Sequence, residues 1–328
     1  MGRDPCEILK MAKTAFIFPG QGSQYVGMGK DMFDNFPKAR ETFEEANDAL
    51  GFSLSEMCFT GTAEDLALTA NTQPAILATS TAVFKTMEVE GFPLPDFVAG
   101  HSLGEYSALV AAHSLSFNEA VKTVRQRGKY MQNAVPVGIG AMAAILGLDL
   151  ETIKTACQEA SKNQVCSPAN INSASQVVIA GDAEAIDRAI EILKQRGAKR
   201  AVKLNVSAPF HCALMKPAQD KLTEDLQAID FQDLRFPIVE NVSARRNTQG
   251  KRVRMALSEQ VSAPVLWKDS IEYLIENSVQ TFVEVGAGKV LSSLVKQINR
   301  DVRCLNIEDA ESLRSSLESL GSSESFSN

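Results

Sequence analysis

The sequence predicts an α/β protein in which a mostly parallel sheet forms a large subdomain and a smaller βαββαβ unit is inserted into it. The first observation is the order strand, Gly-x-Ser-x-Gly, helix in residues 96–113. The second is the alternation of buried-strand and helical patterns on either side of this stretch. The third is a complete βαββαβ pattern. We therefore predict a large subdomain of residues 13–137 and 206–320 and an insertion of residues 138–205.

The Gly-x-Ser-x-Gly stretch is Gly100–Gly104, which follows the short apolar run Asp96–Ala99 and precedes a helical pattern. A tight turn between a strand and a helix lifts a serine hydroxyl above the sheet, and the flanking glycines let neighbouring backbone pass without a Cβ clash. Ser102 is therefore a candidate nucleophile. The alternative is an ordinary helix N-cap, a position that serine also favours.

The stretch before this turn begins with a strand-like run, Thr14–Phe18, that leads into a glycine loop at Pro19–Gln24. Such a loop can turn backbone N–H groups toward a site. Its glycines have the wrong spacing for the GxGxxG of a dinucleotide site, which disfavours that alternative. Periodicity and capping signals predict helices over 36–50, 71–91 and 116–134.

Residues 138–205 have a different pattern, with two helices among four strands. The predicted elements are strand 141–146, helix 149–161, strands 164–172 and 176–180, helix 182–196 and strand 198–204. This order is the split ferredoxin-like unit.

The chain then returns to the large subdomain, with Ser207–His211 predicted as a loop. The elements that follow are predicted as helix 212–229, strand 236–242, helices 253–261 and 267–277, strand 281–285, and helices 290–298 and 310–320. The Gly-Ala-Gly-Lys of residues 286–289 lacks the rest of a phosphate loop and is interpreted as a tight turn. Residues 1–10 are expected to be a leader outside the fold, and the serine-rich residues 321–328 a disordered tail.

Composition and charge limit the classes of function. A hydrophobic content of 45% in 328 residues is typical of a globular enzyme. The net charge of −7 disfavours broad electrostatic binding to nucleic acid or to an anionic membrane. The six cysteines have no paired spacing, so neither a zinc site nor a disulfide framework is predicted. This use of cysteine indicates a reducing compartment. The sequence also lacks an apolar run long enough to span a membrane and the apolar core of a signal peptide, so we expect a cytoplasmic protein.

A serine hydroxyl needs a base that removes its proton as it attacks, and histidine is the usual base. The sequence has three histidines. His101 is next to Ser102 on the turn, so its side chain should diverge from that of the serine. His113 lies further along the following helix, roughly 16 Å away at about 1.5 Å per residue. His211, on a loop after a strand, is free to fold back over the turn, although a surface or structural role is the alternative.

A serine nucleophile also needs N–H donors for the oxyanion that forms when it attacks a carbonyl. In this kind of turn, one donor is the N–H of the residue after the nucleophile, here Leu103, and a second comes from a loop after another strand. The loop that contains Gln21 can supply the second donor. A plain glycine turn is the alternative for that loop.

Six segments, in this order, resemble the malonyl-CoA:acyl carrier protein transacylase family, and the resemblance covers the chain from Thr14 to about Leu320. The segments are FPGQGSQ at 18–24, GHSLGEYSAL at 100–109, VRQRGKYMQ at 124–132, NINSASQVVIAG at 170–181, SAPFHCALM at 207–215 and FVEVGAGKVL at 282–291. Each segment alone is weak evidence for the family, whereas six segments in this order are specific to it. The family fold, a hydrolase-like α/β domain with a ferredoxin-like insertion, agrees with the elements predicted above.

The resemblance implies roles for individual residues. It makes Ser102 the nucleophile and His211 its base, with Gln21 and Leu103 forming the oxyanion hole. It also implies that Arg127 holds the substrate carboxylate, a planar group that a guanidinium can bind in a bidentate manner.

Three more roles follow from the resemblance. A main-chain carbonyl near Gln260 would orient the histidine. The bulky ring of Phe210 would crowd an α-methyl branch, so malonyl is expected as the substrate group rather than methylmalonyl. Asn172 is expected to line the pocket.

The implied reaction is a ping-pong transfer. Ser102 attacks the thioester of malonyl-CoA, CoA leaves, and the phosphopantetheine thiol of acyl carrier protein takes the malonyl group from the serine ester. No metal or redox cofactor is expected. The protein is expected to be a monomer that supplies malonyl-ACP for fatty-acid synthesis.

Two alternative functions remain. One is a serine esterase or thioesterase of the same fold, in which water takes the place of the carrier thiol; the lack of an HGGG-type oxyanion loop disfavours it. The other is a non-catalytic scaffold of a synthase, which the presence of serine, histidine and arginine together disfavours.

Overall fold

The protein is described by a computed structural model that covers residues 12–206 and 208–324. Its strands are β1 Lys13–Phe18, β2 Phe97–Gly100, β3 Gly140–Leu146, β4 Cys166–Ser173, β5 Gln176–Asp182, β6 Arg200–Lys203, β7 Ile238–Val239, β8 Arg246–Asn247, β9 Val279–Val285 and β10 Arg303–Ile307.

Helices alternate with most of these strands. They are α1 Lys30–Asn35, α2 Pro37–Leu50, α3 Leu54–Thr60, α4 Ala63–Ala67, α5 Thr69–Val89, α6 Gly104–Ala111, α7 Phe117–Gln132, α8 Leu150–Ser161, α9 Ala183–Gln195, α10 Lys216–Gln227, α11 Gly250–Gln260, α12 Trp267–Glu276, α13 Val290–Ile298 and α14 Ala310–Glu324. Within the described part of the chain, none of them combines the length and the apolar character that a membrane crossing requires.

The larger sheet has the strand order β10-β9-β1-β2-β7-β8, and its neighbouring strands are parallel except for the antiparallel pair β7 and β8. Its central strands are apolar and buried, as expected for a parallel sheet with helices on both faces. The register pairs Phe18, the last residue of β1, with Gly100, the last residue of β2. The loops that follow these two strands therefore leave the same edge of the sheet side by side.

The glycines of this edge allow backbone segments to approach closely. A Cβ on Gly104 would lie 2.0 Å from the carbonyl oxygen of Phe18, and one on Gly100 would lie 2.0 Å from the carbonyl oxygen of Gly104. On the neighbouring loop, a Cβ on Gly20 would lie 2.3 Å from the carbonyl oxygen of His101. Such contacts are possible only for residues without a side chain. The three glycines thus pack the turn at Ser102 against the end of β1 and its loop.

The inserted unit has its own antiparallel sheet in the order β4-β5-β3-β6. Helices α8 and α9 cover one face and form a separate apolar core with it, which includes Ile145, Ile153, Ile179 and Ile186. Main-chain hydrogen bonds between β4 and the segment before α12 join the unit to the large subdomain, with the N–H of Ile171 bonded to the carbonyl of Val265 at 2.9 Å.

These findings confirm the predicted fold class, a mostly parallel α/β sheet with a ferredoxin-like insertion. The predicted N-cap at Ser116 also forms, since its hydroxyl accepts the N–H of Glu119; the Glu119 carboxylate accepts the Ser116 hydroxyl rather than the backbone N–H that a full capping box uses. The division of the chain at residues 138 and 205 stays a prediction.

Several element predictions were incomplete. The short helices α1, α3 and α4 and the edge strands β8 and β10 were missed, because short segments and half-buried edges have weak periodicity. The predicted strand 236–242 is reduced to β7. The predicted helix 212–229 begins later, at Lys216, after a 3-10 turn over Ala213–Met215.

The predictions for the chain ends have different outcomes. Helix α14 extends through residues 321–324, which were assigned to a disordered tail, so that assignment was wrong for these four positions. Residues 325–328 of the tail and the predicted leader 1–10 lie outside the described residues. So does Ser207, the first residue of the predicted loop before His211.

Candidate active site

A cavity of about 110 Å³ lies at the sheet edge where the loops after β1 and β2 meet the inserted unit. Its polar lining residues come from the large subdomain and from β4. They are Gln21, Gln73, His101, Ser102, Arg127, Asn170 and His211. Its apolar lining residues are Leu103, Met131, Met142, Leu204, Val206 and Phe210.

The Ser102 hydroxyl and the His211 imidazole are in hydrogen-bond contact in this cavity. Ser102 Oγ lies 2.7 Å from His211 Nε2, and His211 Nδ1 lies 2.8 Å from the main-chain oxygen of Gln260. Because a carbonyl oxygen can only accept, Nδ1 carries the proton and donates it, which leaves Nε2 free to accept the Ser102 O–H. This arrangement can remove the serine proton during an attack.

Both residues of this pair have left-handed backbone conformations. The φ angle is 51° for Ser102 and 60° for His211. For a residue other than glycine, the left-handed conformation costs about 1–2 kcal/mol, so the surrounding structure must hold the two residues in it. Asn241, two residues beyond β7, helps to hold the turn: its Oδ1 accepts the Ser102 N–H at 2.7 Å and its Nδ2 donates to the Gly100 oxygen at 2.7 Å.

The charge state of His211 suits a base. Its ring is only 4% exposed. Burial, and then the nearby positive charge of Arg127, lower the pKa of His211 to about 3. The imidazole is therefore neutral at neutral pH and able to accept a proton.

Arg127 on α7 is 1% exposed, and its guanidinium faces the same cavity. Its Nη1 donates to Gln73 Oε1 at 2.8 Å, and its Nη2 donates to Gln260 Oε1 at 2.8 Å and to Ser102 Oγ at 3.1 Å. All these acceptors are neutral, and none of the ion pairs within the residues that the structure describes involves Arg127. Because a buried cation without an anion is costly, the site favours a ligand that brings a carboxylate.

Gln21 and Leu103 both line the cavity beside Ser102. The Gln21 side chain makes a long contact of 3.4 Å to the hydroxyl of Thr69. Across residues 12–206 and 208–324, the backbone N–H groups of Gln21 and Leu103 have no hydrogen-bond acceptor. Two such N–H groups next to a serine hydroxyl can serve an oxyanion.

The other predicted site residues have mixed outcomes. Phe210 is buried and lines the cavity. Asn172 does not line it; its Oδ1 instead contacts Nε2 of His101 at 2.9 Å. Asn170 on the same strand lines the cavity instead, although regular alternation would put both residues on one face; the pairing of β4 with β5 shifts register between Ile171 and Ser173. The His101 side chain also lines the cavity, but its contacts are with Asn172 and Trp267, whereas Ser102 Oγ contacts His211.

Sequence reasoning missed Gln73, Glu105 and Asn241, and it found only the backbone of Gln260. Glu105 lies within the segment 100–109 that carries the resemblance, but no signal in the sequence shows the role of any of them, since each is a polar residue within or beside an ordinary helix or strand. They become recognisable only when the fold brings four separate segments to one place.

The fold and this site define an acyl transferase domain. Residues 15–316 match the family model described as the acyl transferase domain, and the chain belongs to that family. The resemblance found in the sequence is confirmed.

Within this family the similarity is to malonyl CoA-acyl carrier protein transacylases. That of Bacillus subtilis (strain 168) is 48% identical over 311 residues, which cover 94% of this chain and 98% of the relative. The solved enzyme from Coxiella burnetii is 42% identical with a TM-score of 0.92, over 94% of this chain and 97% of that one. A malonyl-transacylase solved in complex with its type II PKS acyl-carrier protein is 45% identical with a TM-score of 0.92, over 94% of this chain and all of that one.

The low pKa of His211 predicts an unusual pH dependence. We expect the rate at which neutral phenylmethanesulfonyl fluoride reacts with Ser102 to stay constant from about pH 8 to about pH 5, since the imidazole stays neutral there. If the histidine had the ordinary pKa of about 6.5, the reaction rate would fall about 30-fold between about pH 8 and about pH 5. Arg127→Gln removes the nearby positive charge, so it should raise the pKa and move the acidic fall in rate to higher pH.

The measurement is the inactivation rate against pH, with circular dichroism at each pH to verify that the chain stays folded. A wild-type rate that falls with a midpoint near pH 6.5 would show that the His211 pKa is not lowered.

Proposed function

We propose that this protein transfers the malonyl group from malonyl-CoA to the phosphopantetheine thiol of acyl carrier protein through a malonyl ester of Ser102. The observation that carries this proposal is the position of Arg127, a buried cation without an acidic partner within the described residues, with Nη2 at 3.1 Å from Ser102 Oγ. A nucleophile next to a carboxylate receptor suits a short acyl group that ends in a carboxylate. The similarity to malonyl transacylases supports the same substrate.

In the first half of the reaction, Ser102 Oγ attacks the thioester carbonyl while its proton passes to His211 Nε2. The N–H groups of Leu103 and Gln21 stabilise the oxyanion, and the Gln260 carbonyl stabilises the imidazolium through Nδ1. The C–S bond then breaks, and His211 returns the proton to the departing CoA thiolate. The products are the serine ester and free CoA.

In the second half, the carrier thiol occupies the position that CoA has left. His211 takes the thiol proton as the sulfur attacks the ester carbonyl, and it gives this proton to Ser102 Oγ when the C–O bond breaks. No other reactant is needed, because both halves exchange one acyl bond for another. A metal or redox cofactor has no part in these steps.

We also propose that the protein acts as a cytoplasmic monomer that supplies malonyl-ACP for fatty-acid synthesis. Its net charge of −7 agrees with a protein that does not bind nucleic acid or an anionic membrane. Sedimentation of the purified protein would test the monomer, and fractionation of the native cells would test the compartment.

The first prediction from this proposed function concerns the covalent intermediate. Incubation with malonyl-CoA is expected to add one malonyl group at Ser102, as intact mass and peptide mapping would show. Ser102→Ala should form no adduct, and His211→Ala should form it about 1000-fold more slowly, since it lacks the base. His113→Ala, a change at an exposed histidine, is the matched control. Added carrier protein should remove the malonyl group from the enzyme.

The two alternatives give other results in the same experiment. A hydrolase would release free malonate without transfer to the carrier, and a scaffold would produce neither an adduct nor malonate. Either result would reject the transferase.

The second prediction concerns selectivity for the carboxylate. Arg127→Ala should lower the rate of malonyl adduct formation about 10- to 100-fold, because the carboxylate loses charge-assisted hydrogen bonds. The same change should raise acylation by acetyl-CoA, since the uncharged acetyl group no longer meets an unpaired cation. Lys129→Ala, on an exposed position of the same helix, is the control. An unchanged ratio of malonyl to acetyl rates would refute the role.

The third prediction concerns Phe210. We propose that its ring limits the cavity next to the α-carbon of the acyl group. Phe210→Ala should therefore raise the rate with methylmalonyl-CoA relative to malonyl-CoA by about 10-fold, the usual effect of room for one methyl group. The two CoA esters are compared by adduct formation, and a constant ratio would mean that the ring does not select.

A further inference from the structure

Glu105 is a buried acid beside the active site that takes no part in the reaction steps above. It lies in the first turn of α6, three residues after Ser102, and is 2% exposed. Its Oε2 accepts a hydrogen bond from Gln260 Nε2 at 2.6 Å, and its Oε1 accepts the N–H of Asn241 at 3.4 Å. A carboxyl group is costly to bury, so its retention here calls for an explanation.

The Gln260 side chain links Glu105 to Arg127. Its Nε2 donates to Glu105 Oε2 and also to the main-chain oxygen of Ser102 at 2.9 Å. Its Oε1 accepts from Arg127 Nη2 at 2.8 Å. If the amide turned over, its NH₂ would face guanidinium donors and its oxygen would face the main-chain oxygen of Ser102, which can only accept. Only one orientation of the amide therefore satisfies the three neighbours.

We propose that Glu105 is a positioning residue for recognition of the substrate carboxylate. Its oxygen holds the Gln260 amide in the orientation that presents Oε1 to Arg127, and this contact keeps the guanidinium next to Ser102. The inference rests on the proposed malonyl transfer. It adds Glu105 as a residue that acts on Arg127 through the side-chain amide of Gln260.

The placement has a physical advantage over a direct ion pair. A carboxylate in contact with Arg127 would occupy the donors that the substrate needs. Glu105 is in contact with Gln260 instead, so the donors of Arg127 stay directed at neutral groups. Burial raises the pKa of Glu105 to about 8. A carboxyl oxygen can accept from Gln260 Nε2 in either protonation state, so the orientation does not depend on the charge of Glu105.

A double-mutant cycle tests whether Glu105 acts through Arg127. Glu105→Leu removes the acceptor and should lower the rate of malonyl adduct formation at Ser102 at least about 10-fold, because the guanidinium loses its alignment. At pH 8, where His211 is neutral with or without the Arg127 charge, reaction with neutral phenylmethanesulfonyl fluoride, which has no carboxylate for Arg127 to hold, should change less than about 2-fold. In the Arg127→Ala background, Glu105→Leu should lower malonyl adduct formation by less than about 2-fold, since coupled residues are not additive.

A second variant separates the acceptor from the charge and covers a failure of Glu105→Leu to fold. Glu105→Gln keeps an acceptor oxygen, so it should keep the malonyl rate within about 3-fold of wild type. Glu284→Leu is the control for loss of a buried acid elsewhere, since Glu284 caps α13 through the N–H groups of Leu291 and Ser292. Glu284→Leu should lower the melting temperature but leave unchanged the ratio between the rate of malonyl adduct formation and the rate of reaction with phenylmethanesulfonyl fluoride.

The proposal is overturned if Glu105→Leu slows malonyl adduct formation and the reaction with phenylmethanesulfonyl fluoride by the same factor. It is also overturned if Glu105→Leu slows malonyl adduct formation equally in the wild-type and Arg127→Ala backgrounds. A large loss in Glu105→Gln also overturns it. The wild-type protein shows separately whether the proposed function holds, since a wild type that forms no malonyl adduct would reject the transferase itself.

Discussion

The hydrogen bond between Ser102 Oγ and His211 Nε2, 2.7 Å long, is the contact on which the site depends. It joins residues 109 positions apart, with the whole inserted unit between them. Neither partner has a relaxed backbone, since both have left-handed φ angles. The contact therefore exists because other parts of the fold hold these two loops in place. Asn241, two residues beyond β7, and the carbonyl of Gln260 at the end of α11 provide that support.

Electrostatics connect this pair to the carboxylate substrate that we propose. The protein buries a guanidinium and surrounds it with the oxygens of Gln73, Gln260 and Ser102. Neutral acceptors take hydrogen bonds from its Nη1 and Nη2 but do not balance its charge. The same positive charge, added to burial, keeps His211 neutral and ready to accept a proton. One buried cation thus favours both the substrate anion and the active form of the base.

The sequence determined much of this protein. Apolar runs, capping signals and the strand, Gly-x-Ser-x-Gly, helix order are local, so they predicted the parallel sheet, the inserted unit and Ser102 as a candidate. Elimination among three histidines left His211, and the family resemblance supplied Arg127, Gln21, Leu103 and Phe210. Short helices and edge strands were missed because their patterns span too few residues to be distinguished from loops.

Only the tertiary structure decided which polar groups meet. Asn170 rather than Asn172 lies in the cavity wall, on a strand whose pairing shifts register between Ile171 and Ser173. The roles of Gln73, Glu105 and Asn241 are not marked in the sequence, because these roles depend on hydrogen bonds to residues 54 to 155 positions away. Local sequence patterns specify strands, helices and turns, whereas contacts of this length arise only after the strands have paired and the glycines have allowed their loops to pack together.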